Sequence, residues 1–135
     1  MYIDNKHLKN AISIWLFFMF CLVGLMIIIG GLTRLTDSGL SITKWQLFSG
    51  ILPPLNETQW INYFNLYKKI PEFELQNYSM SLNEFKVIFW WEWIHRILGR
   101  LIGICFLLPL LYFTFKVNFK KLIHLYFIFF LICFQ

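Results

Sequence analysis

Apolar and polar positions fall in long blocks along this chain rather than alternating residue by residue. From Ala11 to Leu32 no charged residue occurs. A helix of that length spans ~33 Å at 1.5 Å per residue, enough to cross a hydrocarbon core of ~30 Å. The run is too long for a signal-peptide core and lacks a small-x-small cleavage site, so an uncleaved transmembrane helix is expected, with a signal peptide as the competing reading. A second block, Leu101–Phe115, is shorter, but Val87–Trp93 upstream is apolar apart from Glu92 and extends it. Ser81-Leu82-Asn83-Glu84 has the spacing of a capping box, in which the Ser81 hydroxyl caps the Glu84 amide and the Glu84 side chain reaches back. A helix from Leu82 to Phe115 is ~51 Å long, so its first turns stand outside the bilayer. Glu92, His95, Arg96 and Arg100 then fall at or just below the interface. The third block runs from Leu122 to Gln135, and the ~21 Å of helix after Lys121 reads as a span cut short.

The organisation expected is therefore an N-terminal flank (1–10), a transmembrane helix (11–32), a loop (33–86), a second transmembrane helix (87–115), a short turn (116–121) and a truncated third helix (122–135). The loop carries Trp45, Trp60, Phe64, Tyr67 and Phe73, too many aromatics for a solvated coil. Asn56 with Gln59 three residues later marks a helix start after Pro53-Pro54. Trp60, Phe64 and Tyr67 then line one face of a short amphipathic helix lying over the membrane surface as a lid. Asn56-Glu57-Thr58 and Asn77-Tyr78-Ser79 match the N-glycosylation triplet, a pattern too short to carry weight.

Composition agrees with a membrane location. Of 135 residues, 59% are hydrophobic, 21% aromatic and only 14% charged, with a mean hydropathy of +0.62; soluble domains lie nearer a quarter charged. The net charge of +5 comes from twelve basic residues scattered among apolar runs, which form no stripe able to follow a phosphate backbone, so a nucleic-acid partner is excluded. The charge reads instead as topology. Lys6 and Lys9 precede the first helix and Lys116, Lys120 and Lys121 fill the short turn, placing both on the cytoplasmic side and the loop on the outer face. Cys21, Cys105 and Cys133 each sit inside an apolar run and give no sign of a disulfide or a metal-binding dithiol.

The candidate chemistry lies in Trp90-Trp91-Glu92-Trp93-Ile94-His95-Arg96-Ile97-Leu98-Gly99-Arg100-Leu101-Ile102-Gly103. Ionisable residues in a spanning helix are costly enough that function is the first reading. Glu92 and His95 are three apart and share a face, and Gly99 and Gly103 continue the stripe below His95. A histidine above two glycines leaves room for a flat ligand, and imidazole is a common axial ligand of heme iron. Arg96 and Arg100 offer forked donors for the propionates. Spacing alone also fits an interfacial Glu-His pair, snorkelling arginines and a Gly-x-x-x-Gly packing surface. A di-metal site would need a second Glu-x-x-His helix, which is absent from the sequence. His124 reads as an interfacial side chain and His7 as a polar terminal one.

Over most of its length the chain also resembles a known family. Gly30-Gly31-Leu32-Thr33-Arg34-Leu35-Thr36-Asp37-Ser38-Gly39-Leu40-Ser41, Gly50-Ile51-Leu52-Pro53-Pro54-Leu55-Asn56-Glu57, Tyr67-Lys68, Pro71-Glu72-Phe73, Met80, Glu84-Phe85-Lys86 and Trp90-Trp91-Glu92-Trp93-Ile94-His95-Arg96 resemble, in order, the heme A synthases of bacterial and inner mitochondrial membranes. The resemblance implies an all-α membrane fold, an eight-helix bundle of two similar halves, of which this chain holds two complete transmembrane helices and a truncated third. It implies oxidation of the heme O methyl group to the formyl of heme A for terminal oxidase biogenesis. His95 would be an axial ligand and Glu92 the catalytic acidic residue beside it; Arg34 and the loop after it would close the outer mouth. No loop cysteine pair is present, so the resemblance is to the branch without one. Of the family's Gln-Gly pair in the third helix only Gln135 is here. The second axial histidine, and the half that carries heme b, would lie in C-terminal helices missing from the chain. Heme O, the lipid bilayer, those helices, heme O synthase and oxidase assembly factors are the partners implied. The alternative expectation is a truncated membrane remnant, inactive alone, or a weak heme-binding helix pair.

Overall fold

The computed structural model describes residues 6–44 and 51–134, so Trp45 and Gln135 lie outside the described residues. Among the described residues all regular structure is helical: α1 (Lys6–Leu35), α2 (Glu57–Tyr67), α3 (Pro71–Leu75), α4 (Leu82–Thr114) and α5 (Phe119–Phe134). Only α1 and α4, of these, are long and apolar enough to cross a membrane. α1 runs past the charge-free block at both ends, because lysine, asparagine and arginine at its margins are compatible with helix. α5 begins three residues before the apolar block. Asn118 starts it, its side-chain oxygen accepting from the Lys120 amide at 3.0 Å and its carbonyl from the Lys121 amide at 2.9 Å, so the helix start is set by a cap rather than by hydrophobicity.

The chain forms two compact units, one from the residues up to Met26 together with Leu98 onward, the other from Ile27–Ile97. In the first, Ile12, Trp15 and Met19 of α1, Leu98, Ile102, Phe106, Leu110 and Phe113 of α4, and Leu122 and Leu125 of α5 are buried. The three-or-four spacing of the α4 set makes one continuous stripe. The Trp15 ring lies 5.0 Å from Phe106 and 5.5 Å from Phe113, and Phe106 stacks on Phe129. Pro109 sits inside α4. It has no amide to return to the carbonyl of Cys105, four residues back. The Trp15 indole Nε1 donates to that carbonyl at 2.9 Å, replacing the bond that proline removes.

The second unit is built on turns and caps. α1 ends in a Schellman arrangement: the Ser38 amide donates to the Thr33 carbonyl at 2.9 Å and the Asp37 amide to the Arg34 carbonyl at 3.3 Å. Asp37 takes the left-handed position with φ 49°. Glycine usually fills it, but aspartate is among the residues that tolerate it. At α2, Asn56 accepts from the Gln59 amide at 2.9 Å while the Gln59 side chain accepts from the Leu55 amide at 2.7 Å. At α4, Ser81 and Glu84 form the reciprocal cap: the Ser81 amide and hydroxyl donate to the Glu84 carboxylate at 2.8 and 2.7 Å, and the Glu84 amide donates back at 3.4 Å.

These starts aim the aromatic faces inward. Trp60, Phe64 and Tyr67 are the buried residues of α2. With Ile42, Phe85, Ile88 and Phe89 they form one core, against which Phe73 of α3 packs. Trp60 meets Phe89 edge to face at 4.9 Å and Phe64 lies 5.1 Å from Phe85. The Tyr67 hydroxyl accepts from Asn77 Nδ2 at 2.8 Å. Burial pushes its phenol above the ordinary range; the Asn77 bond pulls the other way, and the carboxylates of Glu72, Asp37 and Glu92 add to the rise.

Candidate functional site

Within the second unit, the end of α1, the chain after it, α3 and α4 enclose an open cleft of about 350 Å³. It is lined by Gly30, Thr33, Arg34, Asp37, Gly39, Leu40, Glu72 and His95. His95 is half-buried and Arg34 is exposed, so an imidazole stands on the wall and a guanidinium at the surface. Gly30 lets α1 pass close to the imidazole: a Cβ at that position would lie 3.3 Å from His95 Nε2 and 3.6 Å from Cδ2, and the ring would have to give by a few tenths of an ångström. The glycine in α1 thus makes the space that the imidazole occupies.

Glu92 lies one turn before His95 on α4 and is buried, 3% exposed. Its Oε1 accepts from Arg96 Nε at 2.9 Å and Nη2 at 2.5 Å. Its Oε2 accepts from the Ser41 hydroxyl at 2.6 Å and the Ile42 amide at 2.7 Å. Arg96 Nη2 also donates to the Ile42 carbonyl at 3.1 Å. Four donors on one carboxylate satisfy a charge that burial would otherwise penalise. Through its Nε and Nη2 the forked guanidinium of Arg96 is bonded to Glu92 and Ile42.

The unit brings together Arg34 and His95 on the cleft, and Glu92 and Arg96 in the polar cluster beneath its wall. Gly99, Arg100 and Gly103 belong to the other unit. There the tip of Met26 lies 3.4 Å from where a Gly99 Cβ would stand, while nothing approaches within 4 Å of a Gly103 Cβ. Arg100 is half-buried. Among the described residues no group of three or more His, Cys, Asp or Glu gathers as a bare metal-ion site.

Sequence reasoning gave no individual role to Ser41, Ile42, Gly30 or Glu72, although Gly30, Ser41 and Glu72 fall in the runs that carry the family resemblance. Ser41 and Glu92 are 51 positions apart, and no periodicity links residues at that distance. Gly30 offered a weak signal, as a glycine inside an apolar helix where close approach is the usual reason for one.

The family model for COX15-CtaA, cytochrome oxidase assembly protein, matches residues 13–135. The heme A synthase of Pelagibacter ubique (strain HTCC1062) is 53% identical over 139 residues, covering 100% of this chain and 41% of the relative. That of Parvibaculum lavamentivorans is 52% identical over 111 residues, covering 82% and 32%. That of Bradyrhizobium diazoefficiens is 53% identical over 107 residues, covering 79% and 30%. The chain thus spans less than half the length of the curated relatives it matches. No solved structure matches it.

Proposed function

From the premise that this chain belongs to the COX15-CtaA family of cytochrome oxidase assembly proteins, we propose that it supplies part of the substrate site of a heme A synthase. The reaction would convert the methyl group of heme O to the formyl group of heme A. The observation that carries the reading is the cleft that joins His95, cradled by Gly30, to Arg34 at its mouth. The residues fit the substrate. His95 supplies an imidazole for the iron, and Arg34 an exposed forked donor for a propionate. Arg100, Gly99 and Gly103, in the other unit, are kept as candidate heme-binding residues on the sequence alone.

Glu92 has two roles open to it in such a reaction, accepting a proton or offsetting positive charge at the porphyrin edge. Both of its oxygens already accept from fixed donors.

The chain is located in a membrane, as its two long apolar helices and its family indicate. The lysines of 6–9 and 116–121 support an N-terminus on the cytoplasmic side of a bacterial plasma membrane, or its equivalent at the mitochondrial inner membrane. Exposed apolar side chains such as Phe17, Phe20, Leu108 and Phe130 support a larger bundle, with eight helices in two halves, in which further helices and lipid cover them. Activity is proposed for that whole bundle, with heme b in its other half.

The test joins this chain in frame to the remaining helices of the Pelagibacter ubique relative, in cells that make heme O, and measures extracted heme A. The joined protein is expected to produce heme A and the His95→Ala variant none. Equal heme A from His95→Ala overturns the assignment.

A further inference from the structure

The stretch between α1 and the polar cluster is short and held at both ends. At one end Ser38 is fully buried, its amide closing the C-terminal cap of α1 on Thr33. At the other, Ile42 is gripped through both backbone groups, its amide by Glu92 at 2.7 Å and its carbonyl by Arg96 at 3.1 Å. Ser41, 1% exposed, adds its hydroxyl to Glu92 at 2.6 Å and its amide to the Ser38 carbonyl at 3.3 Å. Only Gly39 and Leu40 are suspended between these anchors, and both line the cleft with His95. Irregular backbone so short, tied to a helix by charge-assisted bonds, keeps the position its anchors dictate.

We propose that Ser41 and Arg96 are positioning residues. With Glu92 they form a latch that sets how closely the Gly39–Leu40 wall stands over His95, and hence how tightly the cleft holds its tetrapyrrole substrate. The proposal rests on the functional reading above for the identity of that substrate, but the latch itself is a property of the fold. Arg96 acts here through Glu92 and Ile42, in place of a direct contact with propionate.

Two measurements separate the latch from the reaction. In the full chain reconstituted in lipid nanodiscs, Ser41→Ala is expected to speed hydrogen exchange at the Ile42 amide ~10-fold, as loss of a bond to a charged group implies. Ser41→Thr keeps a hydroxyl and is expected to restore slow exchange. Arg96→Gln is expected to act as Ser41→Ala does, with Arg96→Lys intermediate. In the joined enzyme, Ser41→Ala is expected to raise the KM for heme O several-fold, and Ser41→Thr to recover it. Unchanged exchange in both Ser41→Ala and Arg96→Gln overturns the latch. Faster exchange with an unchanged KM overturns its positioning role. If the unsubstituted joined protein makes no heme A while exchange responds as stated, the functional reading fails and the latch is upheld as part of the fold.

Discussion

The two compact units share α1 and α4 yet are held together by different chemistry. In the unit containing Trp15 and Phe106 the core contacts are mostly apolar, and its polar ones are few: an indole repairing the gap that Pro109 leaves at Cys105, the Thr114–Tyr126 hydroxyl pair and the Asn118 cap of α5. In the unit containing Glu92 an aromatic core is overlaid by caps, a left-handed aspartate and a carboxylate with four donors. The contrast follows from solvent. Lipid is as apolar as a leucine side chain and gives packing no hydrophobic assistance, but makes an orphaned carbonyl expensive. The stretch between α1 and α4 carries charged residues suited to water, where burying aromatic rings is itself a driving force.

Paired truncations put this distinction to its strongest test. Phe85, fully buried under α2, is expected to cost about 4 kcal/mol when changed to alanine. Phe106, 2% exposed, is expected to cost about 2 kcal/mol, because the opened state offers it lipid rather than water. Reversible unfolding of both variants in mixed micelles measures the difference, and equal losses would break the comparison. A smaller effect probes the repaired carbonyl. Trp15→Phe should cost about 1.5 kcal/mol, falling to about 0.5 kcal/mol in a Pro109→Ala background where residue 109 regains its amide. A cycle with no coupling would show that the indole bond contributes nothing. The smallest effect concerns Tyr67, whose phenol burial raises above its ordinary 10.0. The folded unit keeps the proton where the unfolded chain releases it, so the contribution is whole below about pH 10 and is lost as pH rises through the folded value. Tyrosinate absorbance between about pH 9 and 12, with Tyr67→Phe as control, should show a late-titrating phenol and a parallel loss of stability confined to the unsubstituted chain.

What was legible in the sequence was local. The charge-free block announced α1, and Ser81 with Glu84 announced the start of α4, because each signal lies within a few residues of its consequence. The Trp60, Phe64 and Tyr67 face was readable for the same reason. α5 starts ahead of the apolar run because Asn118 caps it there. Asp37 in a position glycine normally takes gave no warning of the cap it closes. The pairings that define the candidate site, Ser41 and Ile42 with Glu92, and Gly30 with His95, join residues some fifty or more positions apart. Only the folded chain reveals them, together with the bonds of Arg96 to Glu92 and Ile42.

The Glu92–Arg96 pair has a consequence for biogenesis. Its members are four residues apart on one helix, so they meet as soon as that turn of α4 exists, before any contact with Ser41 or Ile42. A carboxylate or guanidinium presented singly to the insertion machinery is penalised, by about 2.5–3.5 kcal/mol at a helix centre and by less near the interface where these two lie. Presented together they enter as a local dipole with no net charge. A change such as Glu92→Gln therefore leaves an isolated cation on the nascent helix, and part of its phenotype would be set at the ribosome, as protein that never reached the bilayer.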